Sequence, residues 1–274
     1  MKSDSTILFA EPEEAFSRQS TFYDLLEEKN QILKWMRYQV RNHVLSFLKP
    51  GDRILEINAG TGLDAVFFAQ KGFNIYATDI SKGMIEQLNA KVKEKNLSGN
   101  IKVQQCSFTE LNKINSEPFD YIFSNFGGLN CLPVLEDALK FFPGLLKPGG
   151  RITLVIMPKI CPWEIAHIFL GRWKTAFRRL GKNGTSAHIE GVYFKSFYHS
   201  PESVLKALGK DFRKLKLQGL GAFTPPIYMK NFPIRYPLFF KLLNQLDEKF
   251  SGLFPLDRWA DHFILTSQYL AEKD

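Results

Sequence analysis

The chain predicts an α/β fold built on a mostly parallel sheet with helices on both faces, and two observations predict it. Between residues 53 and 157 short apolar runs alternate with amphipathic stretches, the pattern of repeated strand–helix units. The first of those runs, Arg53 to Ile57, passes directly into a glycine-rich turn that opens a helix. Parallel sheets of this kind take ligands beyond the carboxyl ends of their strands. The functional loops are therefore expected after Ile57, Thr78, Gln105 and Ser124.

The elements follow in order. Residues up to 50 read as helix, because Phe22, Leu25, Ile32, Met36, Val40, Val44 and Leu48 recur at helical spacing until Pro50-Gly51 stops the run. Strands are predicted at 53–57, 73–78, 101–105, 121–124 and 151–157. Helices are predicted at 64–71, at 81–95 with Ser81 as its N-cap, and around 135–142. Beyond Pro158 the alternation breaks. Trp163, Ala166, Leu170, Trp173, Phe177 and Leu180 stand at three-and-four spacing, which predicts one amphipathic helix serving as a cap. Helix and strand within 201–220, a helix over 235–250 and a strand over 262–269 complete a seven-stranded count. The expected organisation is a helical lid at 1–50, a core at 51–157, a cap insertion at 158–200 after the fifth strand, and the rest of the core sheet at 201–274, all in one structural domain.

Composition narrows the function classes. A hydrophobic content of 45% over 274 residues is ample for a core. No apolar run approaches the roughly 18 residues of a membrane span. The opening MKSDSTILFAEPEEAF lacks the basic-then-apolar layout of a secretory leader, so a cytoplasmic protein is expected. Cys106, Cys131 and Cys161 form no CxxC pair and no cluster with the histidines, so neither a metal nor a disulfide framework is expected. The net charge of +8 would suit an anionic partner. Its basic residues are dispersed apart from Arg172, Lys174, Arg178, Arg179 and Lys182, and no RNA-module motif is present, so no specific nucleic-acid partner is expected.

The strongest motif is LEINAGTG at 55–62, a strand running into a tight turn. Gly60 and Gly62 lack a Cβ, so a ligand can lie against the backbone there. Asp79 ends the second strand about 20 residues on, where a carboxylate can accept both hydroxyls of a ribose. An adenosyl ligand fits that pair.

Together with ATDIS at 77–81, FDYIFSNFGGLN at 119–130 and LLKPGG at 145–150, in that order, residues 15–157 resemble the class I S-adenosylmethionine (SAM)-dependent methyltransferases, particularly the group that includes ubiquinone and menaquinone methyltransferases. The resemblance implies a Rossmann-like sheet, SAM as cofactor with S-adenosylhomocysteine as product, and transfer of a methyl group to a small acceptor at oxygen, nitrogen or carbon. It implies that Asn58, Ala59, Gly60 and Gly62 form the cofactor loop, that Glu56 orients the loop and the methionine end, and that Asp79 holds the ribose. Ile80 and Met84 would pack on the adenine, and the segment from Asn125 and Phe126 to Asn130 would face the methyl. Tyr23 and Arg37, in the entry helices, would close on the methionine carboxylate, since a guanidinium can pair with it in a bidentate fork. Two positions depart from the family. Asn58 replaces its usual first glycine, with a side chain that tolerates left-handed backbone. Ser107 stands where an aspartate often reads the adenine amino group, so the adenine is expected to lean on the backbone from Cys106 to Phe108.

Methyl transfer chiefly requires alignment of the nucleophile and exclusion of water. Where the acceptor must lose a proton, a His or Tyr could take it. The candidates are His167, Tyr193, Tyr198, His199, Tyr228 and His262. Tyr193 and His199 are singled out as catalytic because GVYFKSFYHS lies where a pocket lid belongs. The basic cap helix could touch a membrane surface or steer a lipid-like acceptor, but the simpler reading buries its apolar stripe against the sheet with the charges facing water. The 25 phenylalanines and the Pro- and aromatic-rich stretch 223–240 point to an apolar acceptor pocket. A monomer or homodimer is expected. Two alternatives stand beside this reading. Gly60-Thr61-Gly62-Leu63-Asp64-Ala65 also fits GxGxxA of an NAD(P)-dependent oxidoreductase, although Glu56 is poorly placed beside a pyrophosphate. A catalytically inactive SAM- or RNA-binding protein of the same fold is the other.

Overall fold

The structure, a computed structural model, describes residues 5–181 and 183–271. Strands β1 (Arg53–Ile57), β2 (Asn74–Asp79), β3 (Ile101–Gln105), β4 (Phe119–Ser124) and β5 (Leu146–Ile156) lie parallel to one another, and β6 (Thr185–Ile189) and β7 (Val192–Ser196) form a separate hairpin. The main sheet is completed by β8 (Phe212–Leu220) and β9 (His262–Tyr269) in the order β3-β2-β1-β4-β5-β9-β8, with β9 antiparallel to both of its neighbours. This is the mostly parallel, seven-stranded sheet predicted from the sequence. Its strands are apolar throughout because both faces are covered. Leu55, Ile57, Ile122 and Leu154 pack on one side, and Ile54, Ile75, Phe123 and Val155 on the other.

The N-terminal helical block is three helices: α1 (Ser5–Gln19), α2 (Tyr23–Lys29) and α3 (Gln31–Leu45). Asn30 separates the last two. Its Oδ1 accepts from the Ile32 and Leu33 N–H groups to cap α3, while its Nδ2 donates to the Ile227 carbonyl at 2.8 Å. Ile32, Met36, Val40 and Val44 recur every fourth residue and are fully buried against the sheet. Helices α4 (Leu63–Ala69) and α5 (Lys82–Glu94) follow β1 and β2. Ser81 caps α5 as predicted, accepting from the Met84 N–H at 3.2 Å.

The cap differs from its prediction. Residues 162–180 form four short turns, Pro162–Ile165, Ala166–Leu170, Trp173–Ala176 and Arg178–Leu180, broken at Gly171, whose φ is +68°. Most of the apolar stripe faces outward: Leu170 is 67% exposed and Trp173 59%. Arg179, expected on the wet face, is 3% exposed. The carboxylate of Glu164 accounts for the inversion. Buried, it needs cations, and Arg178 and Arg179 turn in to supply them at 2.6 Å, with Arg179 also 2.8 Å from Asp261. Lys182, the last of the basic cluster, lies outside the described residues. The hairpin β6–β7 was not predicted. Its strands meet at Glu190-Gly191, both at positive φ, a two-residue turn made without the usual Asn-Gly signal. Among the described residues no helix is long and apolar enough to cross a membrane.

Candidate functional site

At the carboxyl ends of β1, β2 and β4 lies a cavity of about 680 Å³, counting its open mouth. The turn after β1 contributes Asn58 and Gly60, the end of β2 and the start of α5 contribute Asp79, Ile80 and Met84, and the loop after β3 contributes Cys106 and Phe108. Asn125, Phe126, Gly128 and Cys131 line it beyond β4, and Pro12, Phe16 and Tyr23 close it from α1 and α2. Four loops named from the topology thus converge on one cavity. Pro12 and Phe16 carried no sequence signal, since where α1 lands is a tertiary matter.

Backbone geometry builds the floor. Asn58 adopts φ +51°, as its side chain allows, and is held there from both ends: Nδ2 donates to the Asn125 carbonyl at 2.9 Å and Oδ1 accepts from the Ser124 hydroxyl at 2.6 Å. The Ala59 N–H donates to the Thr78 carbonyl at 2.9 Å, fastening the turn to β2. Gly62 opens α4 at φ +79°, and a Cβ there would stand 2.0 Å from Leu88 Cδ1. Gly62→Ala is expected to destabilise the protein by about 3 kcal/mol, left-handed strain and overpacking together. At Gly51, with φ +87° and nothing within 4 Å, the same change is expected to cost only the strain, about 1 kcal/mol. Paired urea denaturation curves compare the two.

Asp79 is the buried carboxylate of the cavity. Its Oδ2 accepts from the Gly60 N–H and its Oδ1 from the Ser81 N–H, each at 2.8 Å. Burial pushes its pKa up to about 6 against the opposing pull of those backbone donors. Glu56 lies beneath the turn, 3% exposed and away from the cavity lining. Its Oε2 has no hydrogen-bond partner, and burial, reinforced by the charge of Asp64, holds its pKa well above the carboxylate range.

Arg37 does not line the cavity. Its fork is filled by Glu27, its remaining amino group reaches Asp64, and its guanidinium lies 4.6 Å from the Phe126 ring centroid. The carboxylate predicted for a ligand is thus supplied by the protein. Asp64 also takes Arg41 at 2.7 Å and the Asn125 amide at 2.7 Å, while Asn125 Oδ1 accepts from the Phe126 N–H, fixing the turn in which Phe126 has φ +45°. Tyr23 does line the cavity; burial raises its phenol pKa, and the nearby Arg37 opposes the rise. The Ser107 hydroxyl bonds to Thr109 at 2.8 Å and is not part of the lining, although Cys106 and Phe108 on either side are.

Neither catalytic candidate reaches the cavity. Tyr193 is 65% exposed on β7 with its ring 4.5 Å from that of His188. His199 is buried with Nε2 donating to the Leu132 carbonyl at 2.9 Å, and burial lowers its pKa. Position in the chain put both near a lid, but the hairpin turns one outward and a backbone carbonyl engages the other. His262, at the head of β9, is nearer: its ring meets Phe126 edge-on at 6.0 Å, and its Nδ1 stands 3.2 Å from Asp261 Oδ2. Burial pushes the Asp261 carboxyl up, but His262 and Arg179 outweigh it and hold it well below the carboxylate range. Cys161, Glu164 and Asp261 bring ligand-type atoms together, but Arg178 and Arg179 already satisfy the carboxylates, which leaves little for a metal.

A methyltransferase domain is matched over residues 54–150. The ubiquinone/menaquinone biosynthesis C-methyltransferase of Ectopseudomonas mendocina (strain ymp) is 30% identical over 155 residues, 53% of this chain and 57% of that one. A SAM-dependent Diels-Alderase, iccD, of Talaromyces variabilis is 34% identical over 109 residues, 39% of this chain and 37% of that one. The chain spans about half the length of the curated relatives it matches. Among solved structures, the 1,6-didemethyltoxoflavin-N1-methyltransferase of Burkholderia thailandensis, bound to 1,6-didemethyltoxoflavin and S-adenosylhomocysteine, superposes with a TM-score of 0.61 at 14% identity, covering 98% of this chain and 92% of that one. Sheet order, the turn after β1 and the matched segment agree: residues 54–150 match a methyltransferase domain, the fold is that of solved SAM-dependent methyltransferases, and the chain is similar over 155 residues to the ubiquinone/menaquinone C-methyltransferases.

Proposed function

We propose that the cavity binds SAM and that the chain transfers its methyl group to a small, partly apolar acceptor. One observation carries the reading: a buried carboxylate, Asp79, is held by two backbone N–H groups beside a turn whose Gly60 has open space on its Cβ side, where the nearest atom to a Cβ built there would be Met84 Sδ at 4.0 Å. Asp79 would accept from the ribose hydroxyls, Ile80 and Met84 would sandwich the adenine with Phe108, and Tyr23 would close the methionine end. Cys106 and Phe108 offer the adenine backbone groups, as Ser107 is engaged with Thr109. Glu56, with an oxygen unpartnered under the turn, would orient the loop that receives the methionine end. Arg37 acts through Tyr23 and Phe126 instead of on the cofactor.

Bound SAM supplies an electrophilic methyl carbon, displaced with the C–S electron pair leaving on sulfur. The protein's part is to hold the acceptor in line and keep water out, with Asn125 and Phe126 facing the transfer. For an acceptor that loses a proton, His262, whose ring packs 6.0 Å from that of the cavity-lining Phe126, is placed nearer the transfer than Tyr193 and His199 and is the candidate base. All of these groups come from one chain, so a monomer suffices and a homodimer is compatible. The exposed apolar face of the cap suits a lipid-like acceptor.

Calorimetry with SAM, S-adenosylhomocysteine and NADH, followed by incubation with methyl-labelled SAM and cell extract, tests the reading. Heat with the first two and a labelled small molecule are expected. His262→Ala is expected to lower labelling of a hydroxyl acceptor about 100-fold with SAM affinity unchanged. Heat with NADH alone would restore the oxidoreductase. SAM binding without label transfer would leave a binding protein of this fold.

A further inference from the structure

We propose that the face formed by residues 165–180 and 227–242 docks on an anionic lipid bilayer. Two segments far apart in the chain meet there. The Trp163 ring packs 6.3 Å from Phe232, His167 Nε2 lies 3.4 Å from the Tyr228 hydroxyl, and an almost wholly apolar groove runs between them, with Ala166 on one wall and Phe239 on the other. Phe169, Leu170 and Trp173 project from the first segment, and Ile234, Leu238 (84% exposed) and Phe239 from the second. Six exposed large apolar side chains on two segments that meet along an apolar groove mark an interaction site.

Its charge selects the partner. No Asp or Glu occurs from Ile165 to Ile189 or from Phe212 to Leu246. Within the face, Arg172, Lys174, Lys230, Arg235 and Lys241 are exposed, and none pairs with a carboxylate among the described residues. Arg178 is neutralised by Glu164 and adds nothing. Exposed apolar side chains and unpaired cations interspersed in the same two segments match a bilayer with anionic headgroups, where aromatic and aliphatic groups enter the boundary region and lysine and arginine meet phosphate. A second copy would oppose like charges, and Leu170 or Leu238 offers nothing to a nucleic-acid backbone.

Flotation with vesicles of equal parts phosphatidylcholine and phosphatidylglycerol, against vesicles of phosphatidylcholine alone, tests the docking. Binding is expected only to the anionic vesicles, weakening as salt rises to about 0.5 M. The triple charge reversal Lys230→Glu, Arg235→Glu, Lys241→Glu is expected to weaken it more than tenfold, since each cation near such a surface contributes about fivefold, and the pair Phe169→Ser, Leu238→Ser is expected to do the same by removing apolar area that enters the boundary region. All substituted positions are exposed, and a SAM thermal shift on every variant reports whether it is folded and keeps the cofactor site apart from the membrane result. Equal binding to both vesicles, or variants that float like the parent, overturns the proposal. So does a dimer in sedimentation that the same variants dissociate, which would assign the face to a second copy. Absence of a SAM shift with vesicle binding intact would count against the cofactor reading alone.

Discussion

Replacing Asp79 with alanine is expected to weaken SAM binding at least 100-fold. The side chain lies at the carboxyl end of β2, and its two oxygens already accept from Gly60 and Ser81, so its orientation is fixed before any ligand arrives. Each hydrogen bond from a ribose hydroxyl to a charged acceptor is worth about 1.5–3 kcal/mol, and two are lost together. Truncation also leaves two N–H groups of the cofactor turn without acceptors. Calorimetry on variant and parent reads the loss directly. A pH dependence follows from the same group. The ligand favours the ionised form, and burial places the pKa of the free protein at about 6. Affinity is therefore level above that pH and falls by up to tenfold per pH unit below it, with protons released on binding around pH 6. For stability the sign is opposite: a raised carboxyl pKa favours the fold while protonated, and that contribution is lost as pH rises through 6. An affinity that stays flat down to pH 5 would remove Asp79 from the ribose.

Arg37→Ala is expected to lower the melting temperature by about 10 °C. Three carboxylates depend on the cations of this network: Glu27 and Asp64 bind Arg37 directly, and Glu56 lies close enough for its pKa to feel it. Removing one partner of a buried pair costs about 3–5 kcal/mol because the other charge is left in the interior, and each kcal/mol moves the melting point of a chain this size by about 2–4 °C. Burial pushes the Asp64 carboxyl up, and Arg37 and Arg41 bring it below its ordinary value. In the parent, Asp64 thus stabilises the fold above the unfolded carboxylate pKa. In the variant, Asp64 keeps Arg41 and Asn125 but loses the larger of the two charges that oppose its burial, so its pKa rises and its stabilisation at neutral pH shrinks. The gap between the two proteins should be widest near pH 7 and narrow below pH 5, as scanning calorimetry across that range would register. Arg37→Lys should fall between them, keeping the charge without the fork.

The sheet was legible because its signals are local. Strand period, the Gly60-Gly62 turn, the Ser81 cap and the position of Asp79 are each decided within a few residues of themselves. What was misread depends on distant partners. Arg37 looked free because nothing near it in the chain reveals that Glu27 and Asp64 converge on it. The cap periodicity was real, yet it faces outward because Glu164 and Asp261 draw Arg179 inside, an effect to which a helical wheel is blind. His262 was one name among six until β9 set it beside Phe126.

The placement of β9 governs how the chain can mature. Its pairing partners are β5, more than a hundred residues upstream, and β8, so the strand that fills the gap between them leaves the ribosome after the other eight described strands. Until Tyr269 has emerged, both ladders of β9 are unmade, and the edge of β5 is open to strands from other nascent chains. The cofactor-binding half can therefore assemble during synthesis, but His262 and Asp261 reach their places only when the last strand has been threaded in.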